Sequence, residues 1–394
     1  MKNIHSILLM FLLVMAGCGS KQQTDDFVTV NVTKSYPFKE LILQDFMDVE
    51  YVPLETNDEF LCQGFVQDVS KDYIFVRNFS RTGDILIFDR QGKAVRKINH
   101  IGQGVGEYTF LKEVIYDEEN KEIFVNDIGK RIFVYDLEGN YKRYFKAREN
   151  GLYESIKNFD RDNLICYDGR VSNDGETNGQ NVLLVSKQDG SIRTIDVPFD
   201  KPITTSVISK TFQPGVTWGI SPESDYPLIP YQDKWIIFEP SSDTLYTLTP
   251  DLRKKPFIVR EPSIQTMNPE QFLFLSIVTD RYYFMETLVR EYDFQKRSGY
   301  PSTSLVYDTE KKEVSRCIVY NGDYTYKKEI KMNYYPINSE IASCHILPAD
   351  ELVATYKRGQ LKGQLKEIAA GLDEESNPVL MFYKHKKQTI TSEL

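Results

Sequence analysis

Histidine, cysteine and tryptophan are scarce in this chain, with four, five and two residues among 394. Metal binding and acid–base catalysis draw heavily on the first two, so the scarcity narrows the chemistry available. Beyond the N-terminal segment the histidines are His100, His345 and His385, and they form no spaced ligand set. There is no CxxC pair, and the HExxH, GxSxG, Walker-loop and EF-hand patterns are all missing. Asn173-Asp-Gly-Glu-Thr-Asn178 offers oxygen ligands without calcium-loop spacing. Clustered basic residues are lacking as well, and the formal charge is −9, a balance that disfavours nucleic-acid binding. No apolar run reaches the roughly 20 residues that a membrane-crossing helix needs.

The longest apolar run, Ile7 to Ala16, has the length of a signal-peptide core and follows Lys2. Met15-Ala16-Gly17 places small residues directly before Cys18, the pattern of a lipoprotein processing site. Residues 1–17 are therefore expected to be removed and Cys18 to carry a lipid as the first mature residue. Loss of that segment removes one lysine and no acid, taking the formal charge to −10. Residues 18–26 are polar, with nothing to bury, and are read as a tether. Residues 27–394 form the folded domain, held at the outer membrane through the lipid alone.

What is abundant is the short β-run. Residues 98–146 carry Val114-Ile-Tyr-Asp, Glu122-Ile-Phe-Val-Asn-Asp, Arg131-Ile-Phe-Val-Tyr-Asp and Tyr141-Lys-Arg-Tyr-Phe, separated by turns rich in Asp, Glu, Asn and Gly. Residues 73–98 repeat the order, and Asp89-x-x-Gly92 and Asp136-x-x-Gly139 lie 47 positions apart. That spacing is a propeller-blade period. Gly102-x-Gly104-x-Gly106-Glu107-Tyr108, with Asp127 and then Lys130-Arg-Ile-Phe-Val-Tyr-Asp136-x-x-Gly139, resembles the NHL repeat. More closely, the chain resembles the six-bladed β-propeller lipoproteins of Bacteroidota. Val105 stands where that family usually carries proline. The resemblance implies that Gly102, Gly104, Gly106, Glu107, Asp127, Asp136 and Gly139 serve the repeat structure.

Coarse strand reading gives six units, near 65–99, 110–146, 155–199, 226–260, 281–324 and 339–386. The last, read from Ile341–Ile346, Leu352–Tyr356 and Val379–Tyr383, ends one strand short. Val49–Leu54 is the spare strand at the other terminus, and pairing the two would remove two exposed sheet edges. The expected fold is an all-β, six-bladed propeller of four-stranded antiparallel blades closed by an N-terminal strand. Leu361, Leu365, Ile368 and Leu372 recur at helical spacing, which predicts one short helix inserted in the last blade. Cys62, Cys166, Cys317 and Cys344 read as small buried hydrophobes. A Cys317–Cys344 bridge is the alternative, since an exported chain meets an oxidising compartment.

Naming the strands A to D from the channel outward, the A–B and C–D turns share one face and are short. The long insertions, 168–180, 198–225, 261–271, 292–303, 322–338 and 357–377, fall on the other, which is expected to be the working face. It carries the ligand-binding candidates Trp218, Tyr300, Tyr324, Tyr326, Tyr334 and Tyr335, with Tyr226 beside them. Gly102–Gly106 opens onto a strand and not a helix, so it reads as a blade-to-blade turn and not a phosphate loop. The expected function is noncatalytic binding of a glycan, a peptide or a protein partner in the cell envelope by a monomer. No catalytic residue and no cofactor is predicted. The alternative is a metal-dependent hydrolase or lyase with a divalent cation in the central channel, held by inner-strand carboxylates such as Asp117.

Overall fold

A sheet of four short strands cannot bury both faces alone, and this chain solves the problem by stacking six of them in a ring. The computed structural model describes residues 27–386, apart from 80–81, 150, 170–180, 214 and 224. Cys18, the tether and Asn173–Asn178 lie outside the described residues. The first blade is Phe65–Val69, Tyr73–Arg77, Asp84–Asp89 and Ala94–Asn99, and the second is Leu111–Asp117, Glu122–Asp127, Arg131–Asp136 and Tyr141–Lys146. The third runs from Tyr153 to Ile195, and the fourth is built on Leu228–Tyr231, Lys234–Ile237, Thr244–Leu248 and Lys254–Glu261.

The core is correspondingly divided into six wedges, one between each pair of neighbouring blades. Strand alternation creates them. In Glu122–Asp127, Ile123 and Val125 face the first blade while Phe124 faces the third, so the strand is apolar on both sides. That double burial explains why these strands read as continuous apolar runs.

The fifth blade begins earlier than the sequence suggests. Its inner strand is Gln271–Val278, in front of Tyr282–Val289, Ser302–Asp308 and Glu313–Asn321. In the sixth blade, Leu352–Tyr356 is not a strand but part of the helix Ala349–Lys357, where Asp350 and Glu351 suit the first turn and Leu352 and Val353 are buried. A second helix, Gly363–Ala369, lies in the 357–377 insertion where the apolar spacing predicts one, so the blade as a whole carries two short helices. The innermost place is taken instead by residues 335–338, joined to the strand Ile341–Leu347 by the bridge Pro336–Ser343 and by Asn338 N donating to Ile341 O at 3.0 Å. The proline and the single bridge explain why this segment reads as a loop.

Val379–His385 comes next, and Met47–Pro53 pairs with it antiparallel as the outermost strand. The N-terminal strand thus closes the ring. At this seam Val52 packs on Gly92, as Ile98 packs on Gly139 and Phe145 on Gly190 at ordinary blade junctions. All three glycines have positive φ, and at Gly92 and Gly190 a side chain would also collide with the packed neighbour. Two further N-terminal strands add themselves parallel to blade edges, Val28–Asn31 on the fourth blade and Phe38–Ile42 on the fifth. Cys62, Cys166, Cys317 and Cys344 are all free thiols.

Candidate functional site

The inner strands of the first four blades start at the long-loop face, and where they start the channel widens into a cavity of about 640 Å³. Its size lies in the range of small-ligand sites. The connection between the third and fourth blades supplies Thr205, Ser206, Ser221 and Asp225 to the wall. Tyr226 and Tyr335 meet edge to face there, 5.9 Å between ring centres.

The cavity has a floor. Lys157, on the inner strand of the third blade, is 3 % exposed, and its Nζ donates to Pro336 O at 2.9 Å. It lies 3.7 Å from the Tyr335 ring centre and 4.0 Å from Glu113 Oε1. Tyr335 donates its hydroxyl to Glu113, whose other oxygen accepts Ile156 N at 2.7 Å. Burial pulls the Lys157 ammonium down to about 8 and pushes the carboxyl of Asp68, on the inner strand of the first blade, up to about 6. Beyond Lys157 a second hollow of about 420 Å³ opens on the short-turn face.

The wall between the third and fourth blades is acidic. Glu239, 1 % exposed, accepts Tyr167 Oη at 3.2 Å, Asn181 Nδ2 at 3.0 Å and Ser241 N at 3.2 Å. Asp225 accepts Thr205 Oγ1 at 2.9 Å. Burial, reinforced by the charge of Glu239, pushes the Asp225 carboxyl up to about 6, and burial also raises Glu239. Lys112, on the cavity's other side, is taken by Glu154 at 2.5 Å.

Of the six aromatic binding candidates Tyr335 lines the cavity, as does Tyr226 beside them. Trp218, 40 % exposed, stands on a hairpin of Val207–Gln213 and Val216–Ile220 that rises from the cavity rim. Tyr300 pins the base of that hairpin: its hydroxyl accepts Val207 N at 3.0 Å and lies 2.5 Å from Ile220 O. Phe294, on a second hairpin, touches Phe212 of the first at 5.7 Å. Tyr324 is buried against the helical insertion and bridges to Leu361, with the exposed Tyr326 ring on its edge. Tyr334 packs between His345 and Tyr383.

The repeat-motif residues act as braces. Tyr135 Oη donates to Gly106 O at 2.7 Å, Gly104 N donates to Glu107 at 2.7 Å, and Gly102 lies so close to the Glu107 carboxylate that a side chain there would collide. Asp136 holds the turn before Gly139 by accepting Asn140 N. Asp127 receives Thr109 N and Phe110 N and pairs with Arg131. Asn78 and Asp168 repeat that latch in the first and third blades by accepting Gln63 N and Leu152 N. Sequence reading missed these two because their spacing from Asp127 differs, although Asp168 ends a second strand and Asn78 directly follows one. Asp117 is buried and paired with Lys187 at 2.6 Å, which leaves it no free oxygen toward the channel. Among the described residues no three His, Cys, Asp or Glu side chains converge as a metal would require. Sequence reading found neither the floor residues Lys157, Glu113 and Asp68 nor the wall residues Asp225, Glu239 and Asn181, and the latter come from three separate connections and share no motif.

The six-bladed ring is similar to known structures. A Bacteroides fragilis protein described as exported matches over 89 % of this chain and 99 % of its own, with a TM-score of 0.59 at 14 % identity. A Bacteroides thetaiotaomicron protein of unknown function covers 86 % of this chain and 76 % of its own, with a TM-score of 0.39 at 9 % identity. Virginiamycin B lyase from Staphylococcus aureus covers 86 % and 100 %, with a TM-score of 0.38 at 10 % identity. No curated protein matches the chain by sequence. A family model matches residues 27–384, and the chain belongs to that family, the domain of unknown function DUF4934.

Proposed function

We propose that the chain is a noncatalytic binding protein of the cell envelope, exported and anchored by lipid at Cys18, that takes its ligand in the cavity at the long-loop mouth. The observation that carries this reading is the floored cavity itself: a rigid ring, a side wall of hydrogen-bonding groups and two tyrosines fixed in edge contact. A preorganised recess of this kind loses little freedom when a ligand enters. Export is supported by the apolar segment before Cys18 and by the fold shared with a Bacteroides fragilis protein described as exported. No described helix is long and apolar enough to cross a membrane.

The test is a screen of glycans and short peptides against the purified domain, followed by affinities for variants. Tyr226→Ala should weaken the best binder by about fivefold or more, which is about 1 kcal/mol for a true contact. Lys93→Ala, on the short-turn face, should leave it unchanged. The reverse pattern would put the working face on the wrong side. Stoichiometric divalent metal in the purified protein, with hydrolytic turnover, would favour an enzyme instead.

A further inference from the structure

Two oxygen acceptors in the cavity's acidic wall, both covered from solvent, have no hydrogen-bond donor among the described residues: Asp225 Oδ1 and Asn181 Oδ1. Asn181 is 4 % exposed, and its amide orientation is set by Nδ2, which donates to Glu239. Leaving a buried acceptor unpaired costs about 1–3 kcal/mol, so two of them in one wall call for an explanation. The charges here are uncompensated as well. Glu239 is held by Tyr167, Asn181 and Ser241, and Asp225 by Thr205, all of them neutral. By contrast the cavity's lysines have partners: Lys112 pairs with Glu154, while Lys157 meets Pro336 O, Glu113 and Tyr335.

We propose that the wall formed by Asp225, Glu239 and Asn181 is a subsite for the primary ammonium group of a small ligand or chain end. The inference rests on the cavity reading given above and adds the chemical class of what enters. An ammonium brings N–H donors and one positive charge: the charge matches the carboxylate of Asp225, and a small rotation of the Asp225 and Asn181 side chains turns their two covered acceptors toward it. The Tyr226 ring, next in sequence to Asp225 and also on the wall, adds a face suited to a cation. A neutral hydroxyl would fill one acceptor and leave the charge uncompensated.

The experiment is calorimetric titration of the whole mature domain with two matched pairs: a glucosamine disaccharide against its N,N′-diacetyl form, and trialanine against N-acetyl-trialanine. Binding of either free amine, at least tenfold tighter than its acetylated twin, is expected, and the pair that responds tells whether the amine belongs to a sugar or a peptide. Asp225→Asn should abolish the tenfold preference, with Lys93→Ala retaining it. Circular dichroism of both variants establishes that they fold. Equal binding of free and acetylated forms overturns the ammonium subsite while leaving the cavity as a binding site. Absence of binding by all four probes overturns the subsite too, and the wider screen then decides the cavity separately. Calcium binding that is lost in Asp225→Asn would assign these oxygens to a metal and also overturn the proposal.

Discussion

Asp225 carries its charge where the protein does little to support it, and replacing it by asparagine should therefore stabilise the fold. The carboxyl is raised from 3.8 to about 6, first by burial and then by Glu239. At roughly 1.4 kcal/mol per unit this amounts to about 3 kcal/mol of cost at neutral pH, an upper figure because the side chain borders an open cavity. The sign follows from the raised value. The cost is fully present above pH 6, shrinks as pH falls from 6 to 3.8, and is absent below the unfolded value. Asp225→Asn should gain about 1–3 kcal/mol at pH 7.5 and about a third of that at pH 4.5. The Thr205 hydroxyl keeps an acceptor in the variant. Urea unfolding followed by circular dichroism at both pH values measures the difference, and contributions from other groups, such as His345 and Asp68, cancel between the two proteins. A loss of stability at pH 7.5, or an equal gain at both pH values, would refute the reasoning. A stabilising change that also removes ligand selectivity is the signature of a residue kept for function.

Ring closure should be sensitive to Met47, which is 1 % exposed on the closing strand: Met47→Ala should cost about 2–5 kcal/mol, whereas Phe38→Ala, on an added edge strand and 52 % exposed, should stay within about 0.5 kcal/mol in the same denaturation assay. Similar small losses for both would mean that the closing strand is dispensable. With Cys18→Ala the protein should leave the membrane fraction on cell fractionation, and retention there with unchanged processing would remove the lipid anchor from the account.

The ring was legible in the sequence because each blade strand is buried on both sides, so runs such as Glu122–Asp127 and Arg131–Asp136 stand out and repeat at a fixed period. Closure was legible for the same reason, since a strand missing at one end and spare at the other is a counting argument. The sixth blade was misread where local signals conflict with tertiary ones. Leu352–Tyr356 is apolar enough for a strand, yet it is helical because residues 349–357 set an apolar stripe on the ring, while Pro336 occupies an inner-strand place that its own chemistry disfavours. The added strands Val28–Asn31 and Phe38–Ile42 were missed because each is short and only partly buried. For the site, the face was readable from loop lengths, but the wall was not. Asp225, Glu239 and Asn181 are brought together by the junction of two blades, and nothing in their sequence spacing announces it. Aromatic content pointed instead to Trp218 and Tyr300, which belong to the hairpins above the rim.

Hydrogen–deuterium exchange of the mature domain with and without the best binder from the glycan and peptide screen tests the central claim most directly. The account predicts slowed exchange confined to the cavity wall and floor, at residues 152–157, 203–206, 221–223, 225–228, 239–241 and 335–336, with no change at the short turns 90–93 and 137–140. Protection at those short turns, with the cavity segments unaffected, would contradict it.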